Sequence, residues 1–422
     1  MWSLFAPAAL GFAVAFVVAL LLTPWVRRLA LERGWVDRPD GDRKLHANPT
    51  PALGGIAIFA GVVAGLAVVA AAAPALGLPG FGLPPVVILG ALAMAGTGFW
   101  DDLRGLGFKT KLAVEIVVAY ALLISDQSYL IDLTAVPFIG ADPYTHALFA
   151  IPITLVWIVG VMNAINLIDG VDGLAAGVAG IALASLAVAF GAVSEPVLLV
   201  AAVVMIGGLL GFLRHNFNPA SIFMGDSGSL FIGFVLAVYT LSGDAHPDPL
   251  VALIVPLVAL GLPIFDTTLS MVRRAIGRQA IMAPDRAHIH HRMTQRMSVR
   301  RAVAMLYLVA AGFGLVAIAI SQSSAAAAPW WVGFAILGAA AFATTLGYVR
   351  RPYMAPALID SAGSAPRAPA SPPVEGAALD GGGPEPGLPD LEEPSGDGTM
   401  VAATLDTGKE SDPPDLTLSP TP

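Results

Sequence analysis

Long apolar runs alternate with short polar connections along roughly the first 350 residues of the chain. Eleven such runs can be read, with approximate limits Leu4 to Val26, Leu53 to Ala73, Pro85 to Trp100, Leu112 to Ile124, Leu148 to Met162, Leu174 to Val193, Pro196 to Leu213, Leu230 to Leu241, Leu250 to Val272, Ala302 to Ile320 and Trp330 to Val349. A helix crossing a bilayer needs about 20 mostly apolar residues, and fewer where its ends lie in protein or among headgroups. The pattern therefore predicts an all-α polytopic membrane protein with about 11 transmembrane helices. The first run has no basic segment before it and is followed by Arg27 and Arg28 instead of a small-residue cleavage site, which reads as a retained anchor.

Composition agrees with the pattern. Of 422 residues, 56% are hydrophobic and 12% charged, and the mean hydropathy is +0.76, which excludes an ordinary soluble domain. Cysteine is absent, and with it any disulfide, thiolate metal site or cysteine nucleophile.

The polar positions fix an orientation. All 22 lysines and arginines fall in alternate connections, after the first, third, seventh, ninth and eleventh runs, and the intervening connections hold none. Loops rich in Lys and Arg remain in the cytoplasm, so the N-terminus is expected outside and the C-terminus inside. From Pro352 the composition changes to Pro, Gly, Ala, Ser and acid, and this segment holds 12 of the 30 acidic residues with two basic ones. Such a segment buries too little apolar surface to offset the entropy of ordering. Residues 1–351 are thus expected to form an integral membrane domain, and residues 352–422 a disordered acidic cytoplasmic tail. The net charge of −8 belongs to that tail and carries no information about the substrate. No internal repeat suggests the inverted halves of a transporter.

Five polar clusters lie at the expected cytoplasmic mouths of the helices: DRKLH (Asp42 to His46), the pair Asp101 and Asp102, NAINLIDGVDG (Asn163 to Gly173), NPASIFMGDSGS (Asn218 to Ser229) and DRAHIHHR (Asp285 to Arg292). One such cluster alone reads as a solvated helix end; five on one face of a membrane protein point to a site, because charge beside a bilayer is costly. Asp101, Asp102, Asp169, Asp172 and Asp226 offer hard oxygen ligands, and Asn163 and Asn166 add amide oxygens. That donor set suits Mg²⁺ or Mn²⁺ and not zinc, and a Mg²⁺ site of this kind implies a phosphate-bearing substrate. Steps of three from Asn163 through Asn166 and Asp169 to Asp172 keep these side chains along one slowly rotating helix face. Lys44, Lys111, His290, His291 and Arg292 supply positive partners for phosphate. Asp266 lies a little over a turn inside the ninth run and reads more as a helix-packing residue than a catalytic one. Glu115 is four residues beyond Lys111 and is placed to pair with it.

GWVDRPDGDRKLHANPTPALGGIAIF, FWDDLRG, NAINLIDGVDGL, NPASIFMGDSGSLFIGF, PIFDT and DRAHIHHRM, in that order between Gly34 and Met293, resemble the polyprenyl-phosphate N-acetylhexosamine-1-phosphate transferases. This bacterial family is related to the transferase that makes the first lipid intermediate of peptidoglycan. The tail has no counterpart in the resemblance, and Gly105 stands where some members have a third aspartate. The resemblance implies transfer of a sugar 1-phosphate, most simply N-acetylglucosamine 1-phosphate, from a UDP-sugar to undecaprenyl phosphate with release of UMP. It places the active site on the cytoplasmic face of the bacterial inner membrane and implies Mg²⁺, or Mn²⁺, as cofactor.

By the same resemblance, Asp226 and Asn166 are the expected metal ligands, and Asp172, Gly173 and Leu174 form the uracil end of the site. Asp169 lies near nucleotide or metal. Asp101 is the candidate base on the acceptor phosphate, with Asp102 tuning it or touching metal through water. Lys111, His290 and Arg292 are expected to contact phosphate, His290 being counted with the catalytic set; His288, His291 and Lys44 are second choices, and Asn163 is placed with the substrate-binding residues. A nucleic-acid partner is not expected, and a homodimer is compatible with the sequence.

Two other classes compete. A transporter of a phosphorylated solute would place ionisable groups near mid-bilayer, where only Asp266 and Glu115 qualify. A catalytically dead scaffold would tolerate loss of the acids, and all are present. Within the enzyme class, DRAHIHHRM resembles members using UDP-N-acetylglucosamine more than those using the muramoyl-pentapeptide donor; other N-acetylated sugars and the downstream glycan stay open.

Overall fold

The structure is a computed structural model that describes residues 2–36, 50–76, 81–140, 142–191, 196–242, 246–277 and 288–346. Lys44 and the segment from Pro352 onward, with its expected disorder, lie outside the described residues. The regular secondary structure of those described is helical, without a β-strand among them. The helices are α1 (Trp2–Glu32), α2 (Gly54–Ala72), α3 (Pro85–Arg104), α4 (Phe108–Ser125), α5 (Pro143–Ile168), α6 (Leu174–Gly191), α7 (Pro196–Asn216), α8 (Gly225–Ser242), α9 (Pro249–Ala259), α10 (Gly261–Ile276), α11 (Ile289–Thr294), α12 (Val299–Ser321) and α13 (Ala328–Thr345).

Within the described residues, each of the eleven apolar runs falls largely on helix. By length and composition, eight helices can cross a membrane, and nine if α9 and α10 count as one broken span. Two runs fall short for identifiable reasons. α4 carries Lys109, Lys111 and Glu115 within 18 residues, and α6, bounded by Leu174 and Gly191, is a short helix lined on most sides by protein. The ninth run is bent by 79° between Ala259 and Gly261. Pro263 has no N–H to return to the carbonyl of Ala259, and its ring crowds that carbonyl, which breaks the ladder there.

α8 is the central helix, with 72% of its spanning window buried against 11% for α13. It packs on α2, α3 and α5, while α1 lies against α2 and α7, and α12 against α6 and α9. Glycines permit the closest approaches. A Cβ on Gly55 would lie 2.0 Å from the amide nitrogen of Gly228, and one on Gly98 would lie 2.1 Å from the carbonyl oxygen of Asp226. The start of α8 is thus clamped backbone to backbone between α2 and α3.

The connections segregate to two ends. Those after α1, α5 and α7 meet with the end of α3 and with α11 around one cavity. The connection after α4 and the start of α9 line a separate cleft, and His246, before α9, reaches the carbonyl of Ser323, before α13, at 3.0 Å. The acids Asp142 and Asp248 at that second end cap α5 and α9, an ordinary N-terminal role for aspartate.

Candidate active site

The N-terminus of α8 is the frame of the site. The first amides of a helix have no partner within it. Here the N–H groups of Asp226 and Ser227 donate to the two oxygens of Asp102, at 2.8 and 3.0 Å. Gly225, whose φ of 73° suits glycine, directs its N–H to Asp169. Two carboxylates from α3 and the end of α5 are therefore drawn onto the positive end of α8, which carries a third carboxylate, Asp226, in its first turn. The preceding strap is tied to α2: Gly54 and Gly55 donate to the carbonyls of Phe223 and Met224, at 2.9 and 2.8 Å, and Phe223 donates to that of Pro51 at 2.8 Å.

Lys111 bridges the acids. Its Nζ lies 2.9 Å from Asp101 Oδ2 and 2.7 Å from Asp226 Oδ2, and the other oxygen of Asp101 accepts from the amide of Leu106. Asn166 donates through Nδ2 to Asp226 Oδ1 at 2.9 Å and to Ser229 Oγ at 2.8 Å. Asn166 and Asp226 are thus adjacent, with the amide nitrogen of Asn166 turned to the carboxylate. One turn earlier on α5, Asn163 donates to Glu115 at 2.5 Å and to the carbonyl of Val159 at 2.9 Å. Asn163, not Lys111, is the hydrogen-bond partner of Glu115.

Asp101, Asp102, Asn166, Asp169, Asp172, Asp226 and His291 line a cavity of about 520 Å³, whose other walls include Trp35, Asn216 and Phe223. Burial, and then the charges of Asp226, Asp102 and Asp172, push the Asp169 carboxyl well above the usual carboxylate range, against the opposing effect of the Gly225 amide. A second cavity of about 780 Å³ runs between α4, α5 and α10. Its walls are apolar, including Leu112, Ile116, Leu155, Val156 and Val159, and its polar end holds Lys111, Asn163, Asn166, His288 and His291. Asn166 and His291 belong to both cavities, and Lys111 links the acids of the first to the second.

The remaining sequence candidates are placed differently. Asp172 turns one oxygen to Asn218 Nδ2 and the amide of Ala220, both at 2.9 Å, holding the 218–220 strap. Gly173, with φ 79°, donates to Asn216 Oδ1 at 3.0 Å and accepts from the Tyr307 hydroxyl at 2.6 Å. Leu174 is fully buried at the start of α6. His288 and His290 are buried against Asp266, whereas His291 reaches the cavity wall. Arg292 directs Nη1 to the carbonyl of Leu346 at 3.4 Å, and Arg296 reaches the same carbonyl at 3.0 Å, so this pair closes the C-terminal end of α13.

Asn216, Phe223 and Trp35 escaped sequence reasoning. Asn216 stands two residues before NPAS, and its role depends on the turn that brings it beneath Gly173; Trp35 and Phe223 are single rings, with no periodic signal to separate them from packing residues.

Residues 84–244 match glycosyl transferase family 4. The chain is 36% identical over 315 residues to the probable undecaprenyl-phosphate N-acetylglucosaminyl 1-phosphate transferase of Bacillus subtilis, covering 74% of this chain and 85% of that protein. It is 36% identical over 324 residues to the decaprenyl-phosphate N-acetylglucosaminephosphotransferase of Mycolicibacterium smegmatis, covering 71% and 79%. Against the undecaprenyl-phosphate alpha-N-acetylglucosaminyl 1-phosphate transferase of Escherichia coli K12 it is 27% identical over 325 residues, covering 75% and 84%. The likeness spans the helices that build both cavities, and on it the chain belongs to glycosyl transferase family 4.

Proposed function

We propose that the chain transfers N-acetylglucosamine 1-phosphate from UDP-N-acetylglucosamine to undecaprenyl phosphate, releasing UMP, at the cytoplasmic face of the bacterial inner membrane. The observation that carries this reading is the meeting of an acid-lined cavity with an apolar one at Asn166 and His291, beside Lys111. A soluble nucleotide sugar fits the first, whose walls include the aromatic residues Trp35 and Phe223. A polyprenyl tail fits the second, its phosphate brought to Lys111. The relatives' names speak of the same two reactant classes, a polyprenyl phosphate and N-acetylglucosamine phosphate.

In the transfer, an oxygen of the acceptor phosphate attacks the phosphorus that carries the sugar. The new P–O bond forms as the bond from that phosphorus to the bridging oxygen breaks, and the bridging oxygen leaves on UMP. Such a reaction needs in-line placement and charge neutralisation more than covalent help from the protein. Lys111 supplies one positive charge where acceptor and donor phosphates would meet. A phosphate monoester has its second pKa at about 6 and is mostly dianionic at neutral pH, so Asp101 acts mainly by holding Lys111 in place.

The donor set fits Mg²⁺. Asp101, Asp102, Asp169 and Asp226 bring four carboxylates together, and Lys111 is bonded to two of them, Asp101 and Asp226. Asp226 and Asn166 would hold the ion, with Asp101 and Asp169 close by. When bound, Mg²⁺ would supply Lewis-acid stabilisation of charge on the phosphates. The positive-inside pattern supports a cytoplasmic site: of the connections that form it, those after the first, third, seventh and ninth runs carry Lys and Arg, and the one after the fifth opens on the same side.

The test is UMP release by the full chain in detergent, given UDP-N-acetylglucosamine, undecaprenyl phosphate and Mg²⁺, with Asp226→Ala alongside. Metal-dependent release, lost in the variant, is expected. Activity with a different UDP-sugar alone would change the donor, and silence with every donor would overturn the reading.

A further inference from the structure

Asp266 is buried on α10, on the same face as Ser270 and Arg274 one and two turns later. Its two oxygens have separate duties. Oδ1 accepts from the backbone amide of Ile289 at 2.8 Å, and Oδ2 faces His290 Nδ1 at 3.0 Å. His288 Nδ1 lies 3.4 Å from Oδ1. One carboxylate thus fastens the start of α11, a six-residue helix too short to hold its own conformation.

The imidazoles carry the constraint toward the cavity. The rings of His288 and His290 stack at 5.4 Å, and those of His290 and His291 lie 4.4 Å apart. His290 itself is 1% exposed, and His291 is the member on the cavity wall. On its far side His290 presses on the turn after α5: a Cβ on Gly170 would lie 3.1 Å from His290 Nε2 and 3.7 Å from His291 Nε2. Gly170 directly follows Asp169, and both line the acid cavity.

We propose that Asp266 is a positioning residue for the phosphoryl transfer: through His290 it sets the Asp169–Gly170 turn and the place at which His291 meets the cavity. Resting on the transferase reading above, this assigns PIFDT a role that helix packing does not cover. A carboxylate is needed because it offers two acceptors to two donors, the Ile289 amide and His290 Nδ1–H. An amide offers one oxygen, so asparagine must either abandon the Ile289 amide or present N–H to His290 and invert its tautomer. Asp266, His288 and His290 could also hold a metal ion, their ligand atoms lying within 4.8 Å of one another. The hydrogen bonds already made by both oxygens favour the carboxylate–imidazole arrangement.

The experiment is a double-mutant cycle on UMP release by the full chain, with Asp266→Asn, His290→Gln and the pair, each also melted in detergent. Wild-type turnover tests the transferase reading by itself, and the cycle then tests Asp266. Each single variant is expected to lower kcat by at least about tenfold, with KM for undecaprenyl phosphate within about twofold and the double variant no slower than the slower single. Losses that multiply, or losses that track a falling melting temperature, would overturn the proposal. So would stoichiometric bound zinc in the wild type that is absent from Asp266→Asn. If Asp266→Asn does not fold, Gly170→Ala probes the same contact from the other side. It should lower kcat in the wild type and have little effect in a His290→Ala background; an equal loss in both would sink the idea.

Discussion

The carboxylate of Asp102 accepts from the backbone amides of Asp226, at 2.8 Å, and Ser227, at 3.0 Å, whereas its neighbour Asp101 bonds Lys111 at 2.9 Å. Successive residues on a helix point about 100° apart, and here that divergence separates a carboxylate that builds the site from one that faces the reactants. Asp102→Ala leaves two α8 amides without their acceptor, at a cost of about 1–3 kcal/mol. A clear fall in melting temperature together with loss of UMP release is expected. Asp101→Ala should lose activity with a much smaller thermal change. Equal melting temperatures for the two variants would contradict this division.

Lys111 is bonded to Asp101 and Asp226, which belong to different helices. Lys111→Met removes the cation and leaves both carboxylates facing one another. Loss of such a charged donor costs about a hundredfold or more in turnover, and the remaining rate should saturate at lower free Mg²⁺, because the cation that competes for Asp226 is gone. Steady-state UMP release across a Mg²⁺ titration reads both effects; an unchanged rate would remove Lys111 from the phosphate path.

Asp169 gives a prediction with a definite sign. Its carboxyl is held above its ordinary value by burial and by Asp226, Asp102 and Asp172. An acid whose folded-state pKa is raised favours folding while protonated, and that favour is lost as the pH rises from the ordinary carboxylate range through the raised value. Asp169→Asn removes the charge. In metal-free buffer the variant should therefore melt above the wild type at pH 8, with the gap closing as the pH is lowered toward the ordinary carboxylate range. Added Mg²⁺ should narrow the gap at pH 8 by stabilising the wild type. A variant that melts below the wild type at pH 8 without metal would show that Asp169 is held by bonds stronger than the repulsion around it.

Much of the fold was legible because apolar length is a strong signal: within the described residues each of the eleven runs falls largely on helix, and acids and amides at the ends of α3 and α5 and the start of α8 do converge. What sequence could not resolve was the direction of each side chain. Asp101 and Asp102 are chemically identical neighbours until α8 is placed beside one of them. In HIHH, three histidines are equivalent as letters, and the stack on Asp266 decides that His290 is buried and His291 reaches the wall. Arg292 reads as a phosphate ligand by charge, and sequence gives no sign of its contact with the C-terminal carbonyl of Leu346. Asp266 looked like packing because its partners are 23 and 24 residues away, beyond any local pattern.

Gly160 tests which cavity takes which reactant. It lies on α5 in the wall of the apolar cavity, and a Cβ placed on it would meet no atom within 4 Å. Gly160→Leu therefore fills the groove without crowding the bundle, and it replaces a poor helix former with a good one, so the fold should tolerate it. If the polyprenyl tail occupies this cavity, the added side chain competes with it for the same space. KM for undecaprenyl phosphate should rise by about tenfold, which corresponds to about 1.4 kcal/mol, while KM for UDP-N-acetylglucosamine stays unchanged. A short-chain acceptor that does not reach Gly160 should be used equally by wild type and variant. A rise in the donor KM instead would mean that the nucleotide sugar, and not the lipid, enters between α4, α5 and α10.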